Sequence, residues 1–122
     1  MGELFQKRGT VLTIRLPKEV DHHHTEAIRC EADRYIEQEH IREIVFDFMD
    51  TGFMDSSGIG MIMGRYRNLG MIGGRVSAIH VNERIYKILY LSGVYKVIDI
   101  TKKREWSNRD EKKGEYGDGR YE

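Results

Sequence analysis

The chain has 122 residues, of which 39% are hydrophobic and 33% are charged, which suits one domain with a modest core. Its 20 basic residues balance its 20 acidic residues, so the net charge favours neither nucleic acid nor an anionic membrane as a partner. No apolar run approaches the about eighteen residues of a membrane span, and the first residues do not resemble a signal peptide, so we expect a cytoplasmic protein.

The first predicted elements are a β-hairpin and a long helix. Residues 4–8 and 10–16 flank Gly9, and the second run alternates apolar and polar residues as a strand does. Asp21 then stands where an N-cap is expected, before a helix that runs to about Gln38. The same carboxylate could also belong to a binding surface, and the two roles can coexist.

Three consecutive histidines, His22 to His24, open this helix. Consecutive residues lie about 100° apart around a helix axis, which gathers them poorly around one metal ion. We therefore expect no metal site here and a solvated first turn instead.

A second helix is predicted directly after a buried strand. The strand signal is Ile44–Phe48, a short run of apolar and β-branched residues. Apolar residues then recur at three- and four-residue spacing up to Gly70, which we expect to end the helix. This apolar stripe consists of Ile59, Ile62, Met63, Tyr66 and Leu69. Arg65 and Arg67 fall in the later turns, where cations suit the helix dipole.

The joint between this strand and this helix is rich in hydroxyl groups. Ser56 and Ser57 stand at the helix start, where a serine either caps the helix or lies exposed at the positive end of its dipole. Both uses are open, and capping is favoured for Ser57. Methionines crowd around the joint, and we expect them to fill the core and, where exposed, to offer a partner apolar surface. They are Met49, Met54, Met61, Met63 and Met71.

The rest of the chain predicts two more strands and one more helix. Arg75–Ile79 follows a glycine-rich turn as a strand, Asn82 caps a helix that stops at Ser92-Gly93, and Tyr95–Ile100 is the last strand. Strands and helices thus alternate, which predicts an α/β fold: a single mixed sheet of about five strands with helices packed on it.

Beyond residue 100 the composition changes. Residues 101–122 are mostly charged and are interrupted by glycines, which is typical of a flexible tail. We therefore divide the chain into a folded domain, residues 1–100, and a charged C-terminal tail, residues 101–122.

Two motifs carry a resemblance to a known family. The segment Phe53-Met54-Asp55-Ser56-Ser57-Gly58-Ile59-Gly60 resembles the phosphorylation-site signature of STAS domains that act as anti-sigma factor antagonists, in particular the sporulation antagonists of the sigma-F pathway. Upstream, Glu19-Val20-Asp21-His22-His23-His24-Thr25 resembles the Glu-Leu-Asp-His-His-Thr segment of that family, with one extra histidine.

The resemblance implies a STAS fold and a phosphorylation switch at Ser56. The implied partners are an ATP-using anti-sigma factor serine kinase, bound by the unphosphorylated form so that a sigma factor is released, and a PP2C-type serine phosphatase that resets the switch. The chain would then be a binding module and a kinase substrate, with no cofactor and no catalytic residues of its own. The residues expected to contact the partner are Asp21, His22, Met54, Asp55, Ser56, Ser57, Gly58 and Ile59.

Two alternatives stay open at this point. The chain could be a STAS module of a general stress-response or scaffold pathway, with the same loop but a different kinase. It could also sense a nucleotide or another anion, bound at the helix start near Ser57 and Gly58.

Overall fold

Seven strands and three helices alternate along residues 2–104, the part of the chain that the computed structural model describes. The strands are β1 (Phe5–Arg8), β2 (Val11–Arg15), β3 (Glu19–Val20), β4 (Glu43–Asp47), β5 (Phe53–Met54), β6 (Arg75–Val81) and β7 (Asp99–Lys102). The helices are α1 (His22–Gln38), α2 (Ser56–Gly70) and α3 (Glu83–Leu91). Short 3-10 turns occupy Gly2–Leu4 and Val94–Lys96.

Five of these strands form one mixed sheet in the order β1-β2-β4-β6-β7. The hairpin strands β1 and β2 are antiparallel, and every other pair in the sheet is parallel. Gly9 takes a φ of 63° in the hairpin turn, a left-handed conformation that glycine adopts at no steric cost. The predicted mixed α/β sheet of five strands is therefore confirmed.

A second, two-stranded sheet was not predicted. In it β3 lies parallel to β5, with Glu19 opposite Phe53 and Val20 opposite Met54. A two-residue strand is too short to show an alternating pattern, so periodicity alone could not find it. Each strand of the small sheet leads through one residue into a helix, so the sheet places the starts of α1 and α2 side by side.

The core lies between the main sheet and the helices. Helices α1 and α2 pack against each other, α2 lies on β6, and α3 packs against β5. The largest fully buried side chains come from strands, helices and loops alike: Leu12, Ile14, Leu16, Ile28, Ile41, Ile44, Phe46, Phe48, Ile62, Leu69, Ile85 and Leu89.

The buried stripe of α2 differs from the predicted one. Ile62 and Leu69 are buried as expected, but the predicted members Ile59, Met63 and Tyr66 are only partly buried. The other buried positions of the helix are Gly58, Met61 and Arg65. Both sets have helical spacing, so the pattern did not distinguish them.

Arg65 is the unexpected member of that stripe. Its side chain is only 6% exposed, and its Nε lies 2.9 Å from Asp33 Oδ1 on α1 in an ion pair that lacks the alignment of a hydrogen bond. Arg65 was predicted only as a cation suited to the helix dipole; in the structure its buried side chain also links α1 and α2.

The last strand begins later than predicted. Val94–Lys96 forms a 3-10 turn, and β7 spans Asp99–Lys102 instead of Tyr95–Ile100. The strand thus passes the predicted domain boundary at residue 100, and the backbone N–H of Lys103 still donates to Val81 O. The rest of the predicted tail, residues 105–122, lies outside the described residues. Among residues 2–104, no helix is both long and apolar enough to cross a membrane.

Candidate functional site

The start of helix α2 places its two serines in different environments. Asp55 is the N-cap, and its carboxylate accepts the backbone N–H of Ser57 at 2.9 Å. The same oxygen accepts a short hydrogen bond from the Ser57 hydroxyl. The prediction that Ser57 itself caps the helix is therefore wrong. A carboxylate one position earlier takes that role, and Ser57 becomes its donor.

Ser56 is the first residue of α2 and is exposed. Within residues 2–104, its hydroxyl takes part in no hydrogen bond with another side chain or with the backbone. It therefore stands free at the positive end of the helix dipole, the place where an added anion is best tolerated.

The first turn of α1 lies next to this site. Asp21 caps α1 by accepting the backbone N–H of His24 at 3.0 Å, which confirms its predicted cap role. The backbone N–H of Asp55 donates to Val20 O at 3.1 Å, so the pairing of β3 with β5 continues to the cap residues. The two caps, Asp21 and Asp55, thus lie side by side at the starts of neighbouring helices.

Hydrogen bonds hold both cap carboxylates in the charged form. The backbone N–H of His24, followed by its side chain, lowers the pKa of Asp21. The hydroxyl of Ser57 does most to lower the pKa of Asp55, and the backbone N–H groups of Ser57 and His22 add to the effect. The negative charge of Asp21 opposes it, which is a further sign that the two carboxylates are close.

Two of the predicted contact residues are buried. Met54 is 2% exposed, and a Cβ built on Gly58 would lie 2.5 Å from Met54 Cγ and Sδ. Met54 and Gly58 therefore support the loop from inside, and their predicted contact with a partner stays a prediction. Met61 is also buried at 3% exposed, so these methionines fill the core.

The exposed apolar group beside the site is Phe53, which sequence reasoning missed. Its side chain is 47% exposed, directly before Met54 in β5, while Ile59 is half-buried. Strand alternation offered a signal: if Met54 points inward, its neighbour Phe53 points outward.

The hydroxyl of Ser56 is hydrogen-bonded to no carboxylate in the described part of the chain. The preceding carboxylate, Asp55, already accepts from Ser57, and residues 2–104 contain no group of three or more His, Cys, Asp or Glu side chains placed to hold a metal ion. What the geometry offers is a free hydroxyl that a second protein can reach.

Known proteins resemble this chain along most of its length. A family model for the STAS domain matches residues 4–106. The chain belongs to the STAS domain family. An anti-sigma F factor antagonist from Paenibacillus polymyxa is 37% identical to it over 98 residues, which are 80% of this chain and 83% of that protein.

Two solved STAS structures also match closely. The anti-sigma factor antagonist SpoIIAA in its unphosphorylated form gives a TM-score of 0.67 at 27% identity, over 93% of this chain and 98% of that one. The phosphorylated form of the Bacillus cell fate determinant SpoIIAA gives 0.65 at 28% identity, over 92% of this chain and 99% of that one. The predicted STAS fold is confirmed.

Proposed function

We propose that this STAS domain is an anti-sigma factor antagonist of the sporulation type, controlled by phosphorylation of Ser56. Unphosphorylated, it binds an anti-sigma factor serine kinase and thereby releases the sigma factor. The kinase then uses ATP to phosphorylate Ser56, which ends binding, and a PP2C-type serine phosphatase resets the switch. One observation carries the proposal: Ser56 is exposed and free at the helix start, whereas the hydroxyl of Ser57 is held by Asp55.

The relatives support the same function. The matching Paenibacillus protein is an anti-sigma F factor antagonist, and SpoIIAA has been solved with and without phosphorylation. In this proposal the domain is a binding module and a kinase substrate, and the catalysis belongs to its partners.

The switch would act through charge. A phosphoserine adds about −1.5 to −2 charge and three acceptor oxygens near pH 7. The N-terminus of α2 tolerates that charge, so the domain should stay folded. A partner surface fitted to a neutral hydroxyl would meet repulsion, bulk and desolvation cost instead. We expect a loss of ~2–4 kcal/mol in binding free energy, or roughly 30- to 1000-fold in Kd.

The proposed contact surface surrounds Ser56. Phe53 supplies exposed apolar area, Ile59 lies half-buried at the next turn, and His22 lies exposed at the start of α1. The adjacent carboxylates of Asp21 and Asp55 are already hydrogen-bonded to backbone N–H groups of their own helices. A partner would therefore meet an apolar centre with hydrogen-bonded carboxylates at its edge, as in ordinary protein interfaces.

The test is to map the phosphorylation site. The protein is incubated with ATP and its candidate anti-sigma factor kinase, and the modified residue is located by mass spectrometry. We expect the phosphate on Ser56, its loss in Ser56→Ala, and its retention on Ser56 in the matched variant Ser57→Ala. Modification of Ser57, or no modification of the wild type, would overturn the proposal.

A further inference from the structure

The starts of α1 and α2 lie side by side in matching register. Val20 pairs with Met54 in the small parallel sheet, Asp21 and Asp55 follow as caps, and the first helical residues are His22 and Ser56. Neighbouring strands lie about 4.8 Å apart, so two residues in register at their ends are near neighbours. His22 therefore stands beside Ser56, although the two are far apart in sequence.

A backbone hydrogen bond between the two segments supports this placement. The backbone N–H of Asp55, which precedes Ser56, donates to Val20 O at 3.1 Å. Val20 lies two residues before His22 and Asp55 lies one residue before Ser56, so the bond ties the two helix starts together.

The three histidines of α1 differ in what they contact. The ring of His24 lies with Nδ1 2.8 Å from Asp21 Oδ1, and the ring of His23 packs edge-on against His24 with centroids 6.1 Å apart. His22 is exposed, and within residues 2–104 no hydrogen bond or ion pair holds its ring. Of the three, His22 is the imidazole free to meet a group attached to Ser56.

We propose that His22 holds the phosphoryl group of phosphorylated Ser56 by donating a hydrogen bond from its protonated imidazole to a phosphate oxygen. This inference rests on the proposed phosphorylation of Ser56. The second ionisation of a phosphoserine falls at about pH 6, so the strength of this contact should depend on pH there.

Other charged or titratable residues lie on the segments that lead into the two helix starts. They are Glu19, Asp21, His23, His24 and Asp55. The cap carboxylates oppose the phosphate, but each also accepts backbone N–H groups of its helix. His24 is already paired with Asp21 and His23 packs against His24, whereas His22 is the residue in register with Ser56.

The experiment uses full-length protein with phosphoserine encoded at position 56, so no kinase is needed. The pH dependence of its ³¹P chemical shift is recorded by NMR with His22 intact and in His22→Gln, with His23→Gln as the matched control. A cation about 5 Å from the phosphate should favour the dianion of the phosphate. Its removal in His22→Gln should therefore raise the pH midpoint of the ³¹P titration by roughly 0.3–0.6 pH units. His23→Gln should leave it unchanged, and His22→Lys should keep it low.

An equal midpoint in His22→Gln and in the parent protein would overturn the inference, as would an equal shift in His23→Gln. Because the phosphate is encoded, this result does not depend on whether the kinase chooses Ser56. Failure of the kinase assay would instead remove the proposed function and leave the NMR result standing.

Discussion

Ser56 and Ser57 have the same side chain, yet the helix start gives them opposite roles. The difference comes from Asp55, whose carboxylate takes the backbone N–H and the hydroxyl of Ser57 and leaves Ser56 free. Sequence reasoning located the helix start, because serines after an Asp are typical of one. The choice of Ser56 as the phosphorylated residue came from the family resemblance and stays a prediction. Sequence reasoning did not find the cap, because Asp and Ser are both good caps and only the geometry separates them.

The charge of Asp55 should make stability depend on pH. Hydrogen bonds from Ser57 lower the pKa of this carboxyl in the folded state. A lowered pKa stabilises the fold above the carboxyl's ordinary pKa, and that stabilisation is lost as the pH falls through the folded-state pKa. Asp55→Asn keeps a capping oxygen without the charge, so we expect its melting temperature at pH 7 to lie roughly 2–4 °C below wild type.

Thermal unfolding of both proteins between pH 7 and pH 2 checks this. The difference in melting temperature between Asp55→Asn and wild type should shrink as the pH falls towards 2. Ser56→Ala should melt at the wild-type temperature at every pH. A gap of constant size down to pH 2 would mean that the charge of Asp55 is not the cause.

At the scale of the elements, α1 and α2 are joined by an ion pair whose arginine is buried and whose aspartate is partly exposed. The Arg65 guanidinium is taken out of water, which lowers its pKa, and the nearby charge of Asp33 partly offsets this. Asn68 also donates to Asp33 at 3.2 Å. The sequence could not reveal the pair, because an arginine at a helical spacing from apolar residues is usually read as solvent-facing.

Removing the charge of Asp33 should leave a buried cation without its partner. We expect Asp33→Asn to lower the free energy of unfolding by about 1–3 kcal/mol, less than for a fully buried pair because Asp33 is 25% exposed. The double variant with Arg65→Met should recover part of that loss. Urea unfolding measures the free energy of unfolding of both variants, and Arg67→Met at an exposed position is the control. An Asp33→Asn variant as stable as wild type would contradict the role assigned to this ion pair.

The glycines of α2 give a second test at this scale. Gly58→Ala places a methyl group 2.5 Å from buried Met54 and 3.1 Å from Val20 Cγ1, and the overpacking should outweigh the gain in helix propensity. Gly60 has no atom within 4 Å of its built Cβ. In chemical denaturation, we expect Gly58→Ala to cost about 1–2 kcal/mol and Gly60→Ala to add about 0.5–1 kcal/mol. A stabilised Gly58→Ala would show that the loop is loosely packed.

At the scale of the whole molecule, the alternation of strands and helices was enough to predict the mixed sheet. It failed for two features that leave no alternating pattern in the sequence. The β3–β5 pair is too short to leave a pattern, and β7 begins late because the chain first forms a 3-10 turn after Gly93. The register of β7 against β6 also shifts between Ala78 and Val81. The same β3–β5 pair joins the two motifs of the site, which the sequence placed in order but not in contact.

One consequence at this scale is that phosphorylation should change binding and not folding. The Ser56 side chain is exposed and makes no hydrogen bond within residues 2–104, so a charge added there breaks no such bond of the fold. The free end of the α2 dipole should even favour it. The domain would then carry the signal as a rigid body with an altered surface.

The most direct measurement is calorimetric titration of the anti-sigma factor kinase with two forms of the full-length protein, one with Ser56 and one with phosphoserine encoded at position 56. We predict a Kd roughly 30- to 1000-fold weaker for the phosphorylated form, with melting temperatures within about 2 °C of each other. Equal affinities, or a weakened affinity that accompanies a large fall in melting temperature, would contradict the account.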